Sequence, residues 1–179
     1  TYRESGEYKV MTPKEMLVMN LTHKRPDHSC TMLLKRKFFD TMHFPEFAYY
    51  EDRRLTYKLI NEAKKVGYID KAYYHYYQRE GSIVHTPDWK NYYDFAFAEK
   101  RRLEFINESP LFTEEEKRAL AKVTAETFIS KLRRANRKAA THEQKMMSRK
   151  LVRSLHLIPK SCKIKFKSRV YRRLLKILY

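Results

Sequence analysis

Glycine is nearly absent: the 179-residue chain has three, Gly6, Gly67 and Gly81. That excludes a Gly-rich phosphate loop of the P-loop or dinucleotide type, where several glycines let the backbone approach a phosphate. Cysteine is almost as scarce. Cys30 and Cys162 stand far apart and join no cluster with metal-ligand spacing, so a reducing compartment is expected rather than a disulfide framework or zinc site. No apolar run approaches the length of about 20 residues that a membrane-spanning helix needs, and the start does not read as a signal peptide. The chain opens on Thr1 rather than Met, which suggests a fragment or a processed product. Acid is missing from the last fifth. From Gln144 to Tyr179 there is no Asp or Glu but there are twelve Lys or Arg, two-thirds of the net charge of +18. Nucleic acid, an anionic membrane face or phosphorylated substrates are the partners such a charge invites.

Hydrophobic residues make up 42% of the chain, with 14 Tyr and 10 Phe. That is enough for a core, and the length suits one domain with an appendage. Thr12-Pro13-Lys14-Glu15 is a helix start, with Thr as N-cap, Pro first and Glu third. Residues 22–29 (THKRPDHS) read as a polar loop. Cys30 to Leu34 is a short apolar run leading through Lys35-Arg36-Lys37 into Phe38-Phe39. Phe44 to Phe47 is expected to be extended, since a residue before proline avoids the helical region. A helix is expected from about Asp52 to Lys65, because Leu55, Leu59, Ile60 and Ala63 share one face. Val66 to Asp70 and Ala72 to Gln78 are strand candidates by their β-branched and aromatic content. Three helices should follow: about Asp88 to Asn107, Glu114 to Lys138 behind a Thr113 capping box, and His142 to Leu157 before Pro159. In the tail, Phe166, Val170, Leu174, Ile177 and Leu178 recur at helical spacing among basic residues.

The acidic pair Glu51-Asp52, placed where a helix should begin, is the first chemical candidate. On pattern alone Asp52 reads first as an N-cap, and beside that as a general base whose pKa the helix start lowers, so that it stays ionised and takes a proton from a hydroxyl; both readings can hold together. Glu51 can orient it or bind a cation. Arg79 is either a surface arginine at a strand end or a planar fork for a phosphate. His85 is a loop histidine first, or else a metal or phosphate contact, and His75 is structural. Tyr73, Tyr74, Tyr76 and Tyr77 can form a stacking platform or supply core. No Asp-x-Asp appears, nor any Ser/His/Asp or Cys/His arrangement.

Taken in order, MTPKEMLVMN, CTMLLKRKFF, FPEFAYYEDRRLTYKLINEAKKVGYID and YYHYYQREGSI resemble the C-terminal half of a family-2 glycosyltransferase catalytic domain of the GT-A type, covering residues 12–83. Bacterial members that build capsules, teichoic acids or lipopolysaccharide commonly show an acidic pair before such a helix, then a Tyr-rich strand and an Arg-x-Gly-Ser-Ile-like turn. The resemblance implies that Asp52, with Glu51, is catalytic: Asp52 deprotonates an acceptor hydroxyl, which displaces the nucleotide diphosphate with inversion. It implies that Arg79, Ser82 and His85 contact donor or acceptor. Met32 departs from the lysine many members carry. The family's first half, which grips the nucleotide and supplies the Asp-x-Asp metal ligands, has no counterpart here.

The resulting expectation is an α/β fold: part of a GT-A, Rossmann-like catalytic domain over residues 1–86, then an all-helical basic region over residues 87–179. The activity expected is transfer of a sugar from a nucleotide-sugar donor to a glycan or lipid-linked acceptor. A divalent metal (Mg or Mn) is expected in the full-length enzyme, its ligands mostly outside this chain, and the chain alone is expected to be inactive. Expected partners are donor, acceptor, an anionic membrane surface through residues 144–179, and the missing half or a second copy. The expected location is cytoplasmic, peripheral at the inner face of the membrane. The alternative is a non-enzymatic basic module for nucleic acid or an anionic membrane surface, with nucleic acid disfavoured because the chain up to Asn107 is not especially basic.

Overall fold

The computed structural model describes residues 5–25, 27–77, 86–165, 168–171 and 173. The chain divides into two units, one of Thr1–Glu46 with Glu51–Glu80, the other of Phe47–Tyr50 with Gly81–Tyr179.

In the first unit, strand β1 (Tyr8–Met11) leads directly into helix α1 (Pro13–Leu21). The junction is a complete capping box. The Thr12 hydroxyl accepts from the Glu15 amide, while the Glu15 carboxylate accepts from the Thr12 amide at 2.7 Å and its hydroxyl at 2.8 Å. The Thr12 amide and hydroxyl hold the Glu15 carboxyl below its ordinary range. Two short 3₁₀ helices, Ser29–Thr31 and Arg36–Asp40, carry the chain to helix α2 (Glu51–Glu62) and strand β2 (Val66–Ile69). Leu17 and Leu21 of α1 are buried, as are Leu55, Tyr57, Leu59 and Ile60 of α2, and this is the unit's apolar core. β2 pairs antiparallel with β1, Tyr8 opposite Ile69 and Met11 opposite Val66.

The α/β expectation is overturned. Among the described residues 61% are helical and 5% are strand, in one two-stranded sheet. A Rossmann-like sheet needs parallel strands, nearly continuously apolar because both faces are covered. Here each strand has four residues, the pair is antiparallel, and Tyr8, Val10 and Ile69 are exposed. The strand expected over Ala72 to Gln78 does not form over its described part. Residues 72–77 are irregular and exposed, and Gln78 lies outside the described residues. Aromatic content favours a strand only where the rings pack on a neighbour, and Tyr73, Tyr74, Tyr76 and Tyr77 are all exposed.

The second unit is a helical hairpin with further turns packed on it. Asp88 caps helix α3 (Trp89–Glu108) by accepting from the Asn91 amide, and a five-residue connection turns the chain into helix α4 (Glu114–Lys138), opened by a Thr113–Glu116 capping box. Helix α5 (His142–Val152) is shorter than the helix expected to Leu157; Arg153–Leu157 tightens into a 3₁₀ turn. Ala96, Leu103 and Ile106 of α3 bury against Leu120, Ala121, Ala125, Phe128, Leu132 and Ala135 of α4, with Leu151, Leu155, Ile158 and Ile164 closing the core. Small alanines let the α3 and α4 backbones approach, which suits ridge-into-groove packing. Of the tail's expected apolar face, Val170 is exposed, and Phe166, Leu174, Ile177 and Leu178 lie outside the described residues. No helix of the described residues is long and apolar enough to cross a membrane.

Candidate functional site

The first unit's polar centre is built on Asp27. Helix α1 ends in a Schellman motif: the His23 amide donates to the Asn20 carbonyl and the Lys24 amide to the Met19 carbonyl. His23 occupies the left-handed position, with φ 60°, where glycine is usual. This turn brings the following loop back over α1 and α2. Asp27 is buried there, accepting from Asn20 Nδ2 at 2.6 Å and from the guanidinium of Arg53, while its carbonyl accepts from the Thr56 hydroxyl at 2.9 Å. Arg53 also reaches the His23 imidazole. One carboxylate thus ties the loop to both helices. A buried carboxylate with both oxygens engaged and its charge paired is structural.

Asp52 lies beside this strut with a different environment. It is the second residue of α2 and half-buried. Its Oδ1 accepts from the Arg53 amide at 2.6 Å, and Oδ2 has no hydrogen-bond partner among the described residues. Burial pushes its pKa up; the Arg53 amide opposes this, the Glu51 and Asp27 carboxylates add to it, and His28 works against it. This corrects the expectation of a lowered pKa. A helix start favours an anion, but here desolvation and two like charges outweigh it. Neither is Asp52 an N-cap, since it stands inside the first turn rather than ahead of it.

Glu51, half-buried, opens the helix next to Asp52, so the expected pair is assembled. Arg79, Ser82 and His85 lie outside the described residues. His75 is exposed, against its expected structural role, and so are the four tyrosines around it. Asn20, His23, Asp27 and Arg53 were not singled out from the sequence. A signal for them exists: Arg53 shares a helical stripe with Thr56, Tyr57 and Ile60, which are buried. A charge inside a buried stripe demands a buried counter-charge.

No family model, curated protein or solved structure matches this chain. What the site can do therefore rests on its own geometry.

No group of three or more His, Cys, Asp or Glu side chains among the described residues could hold a metal ion, the carboxylates around Asp52 included. The ligands of an Mg or Mn are expected mostly outside this chain, so these residues do not bear on that expectation. The site offers a carboxylate with one oxygen unengaged and a basicity raised by burial above its ordinary value, which are the attributes of a proton acceptor.

Proposed function

We propose that this chain is the acceptor-side portion of an inverting glycosyltransferase, with Asp52 as its general base. The observation that carries the reading is the contrast between two neighbouring carboxylates. Asp27 is spent on Asn20 and Arg53, while Asp52 keeps an oxygen unengaged and is made more basic by burial, Glu51 and Asp27. The ordered resemblance of residues 12–83 to family-2 enzymes supports the same role. What is proposed is a chemistry on a mostly helical frame, not an α/β fold.

In this reading Oδ2 of Asp52 takes the proton of an acceptor hydroxyl as that oxygen bonds to the anomeric carbon of a nucleotide-sugar. The bond to the nucleotide diphosphate breaks with its electron pair on the leaving oxygen, and the configuration inverts. Burial keeps Asp52 basic, and Glu51 adds to this by like-charge repulsion.

The basic stretch over residues 144–179 would hold this chemistry at an anionic surface on the inner face of a membrane. Leu151, Val152 and Leu155 are buried within the second unit, whereas Lys145, Arg149, Lys150 and Arg153 are exposed. Attachment through that part is therefore electrostatic rather than by insertion, and screened by salt.

The test is to incubate the longest natural form of the protein carrying this chain with nucleotide-sugar donors and glycan or lipid-linked acceptors, then read the product's anomeric configuration by NMR. Transfer with inversion supports the reading. Transfer with retention, or hydrolysis only, contradicts it.

A further inference from the structure

The second unit carries a basic groove that the sugar-transfer reading does not use. Tyr92 on α3 faces Arg134, Arg137 and Lys138 on α4 across a cavity of about 290 Å³. The three cations stand at i, i+3 and i+4, so they share one face at the end of the helix. Lys131, one turn earlier, lies 4.1 Å from the Phe95 ring centroid and 5.9 Å from that of Tyr92, while the Arg134 guanidinium is 5.6 Å from the Tyr92 centroid.

Anionic counterweight is missing from this place. Arg134, Arg137 and Lys138 have no carboxylate partner among the described residues, and the sequence holds no Asp or Glu from Thr127 to His142. On α3, Asp94 is committed to Lys90 and to the Tyr49 amide. The helix dipole accounts for Arg137 and Lys138, which lie in the last turn of α4, but its effect does not extend to Arg134 further in. A solvated helix end also needs no groove.

The geometry points to a binding site for a diphosphate-bearing ligand, gripped by Arg134, Arg137 and Lys138 with Tyr92 as the wall. Two guanidinium forks suit paired phosphate oxygens. A single phosphate carries only about −1.5 to −2, so a diphosphate answers three cations better. The groove is open to solvent on one side, which leaves room for the group that the diphosphate is attached to. A soluble nucleoside diphosphate and a diphosphate-linked lipid share this chemistry. The inference stands whether or not Asp52 acts in sugar transfer, because binding and transfer are read by separate assays.

The experiment is calorimetric titration of the whole protein with inorganic pyrophosphate at fixed salt, comparing wild type, Arg134→Gln/Arg137→Gln, Lys138→Gln and a control, Lys145→Gln/Lys150→Gln, which removes the same charge from α5 outside the groove. All five side chains are exposed, so folding should survive, and thermal melts check it. Saturable binding that weakens about tenfold or more in the groove double variant, the size expected for losing charged hydrogen bonds, and about twofold or less in the control supports the site. Displacement of pyrophosphate by a nucleoside diphosphate identifies a soluble source. Displacement by phosphatidylcholine vesicles doped with a polyprenyl diphosphate, and not by undoped ones, identifies a lipid source. Absence of saturable binding, or equal loss in the groove and control doubles, overturns the proposal, since the charge would then act as a diffuse surface.

Discussion

Replacing Arg53 with Met should unfold the first unit far more readily than any surface substitution. Arg53 is 9% exposed and its partner Asp27 7%. The methionine keeps most of the apolar stem, so what is lost is the guanidinium, and Asp27 is left as a buried carboxylate without its paired cation. Stranding one member of a buried pair costs about 3–5 kcal/mol. For a unit of this size that is a fall in Tm of roughly 12–40 °C, at about 4–8 °C per kcal/mol. Urea denaturation followed by circular dichroism measures it. The double variant Asp27→Asn/Arg53→Met leaves no charge stranded. It should lose less stability than the two single variants together, by about 1 kcal/mol or more. A cost under about 1 kcal/mol for Arg53→Met, the range of an exposed pair, or simple additivity in the cycle, would refute the assignment of Asp27 and Arg53 as the strut that holds the loop to α1 and α2.

Three further outcomes follow from the same reasoning. Because burial raises the pKa of Asp52, the native state keeps a proton that the unfolded chain has released between its ordinary value of about 3.9 and the raised native value, so stability falls as pH rises through that window. Asp52→Asn should therefore be at least as stable as wild type at neutral pH, with the difference vanishing in acid below the unfolded value. Urea midpoints across pH check this, and a less stable variant at neutral pH would mean that the carboxylate serves the helix dipole instead. Thr113→Ala removes the α4 capping box and should cost about 0.5–2 kcal/mol, read as a shifted urea midpoint. Leu132→Ala, at a fully buried position between α3 and α4, should cost about 2–5 kcal/mol; a smaller loss by the same measurement would mean the hairpin core is loosely packed.

Local signals were legible in the sequence. Thr12 and Thr113 announce α1 and α4 because a capping box is made within four residues, and α4 runs over Glu114–Lys138 as its pattern suggests. What was not legible depends on contacts distant in the chain. The tyrosines at 73, 74, 76 and 77 have strand propensity, yet propensity without a neighbouring strand yields exposed irregular chain. The α/β expectation failed for the same reason, since two four-residue strands satisfy each other antiparallel and call for no crossover. At the site, Glu51 and Asp52 stood out as adjacent acids. The sign of Asp52's shift did not, because it is set first by burial, to which Glu51 and then Asp27, 25 positions earlier, add. Asp27 itself sits in a stretch whose polar composition reads only as loop, and its role appears once the Schellman turn at His23 places it against Arg53.

The central claim is that Asp52 is the base and Asp27 the strut. The most direct measurement is sugar transfer by the longest natural form of the protein, wild type against Asp52→Asn, with Tm recorded on the same samples. The predicted result is a loss of transfer by about a hundredfold or more, the scale on which general-base catalysis contributes, while Tm is unchanged or slightly raised at neutral pH. Transfer retained within a few-fold, or lost only in step with a lowered Tm, would contradict it and leave Asp52 as a residue of the helix start.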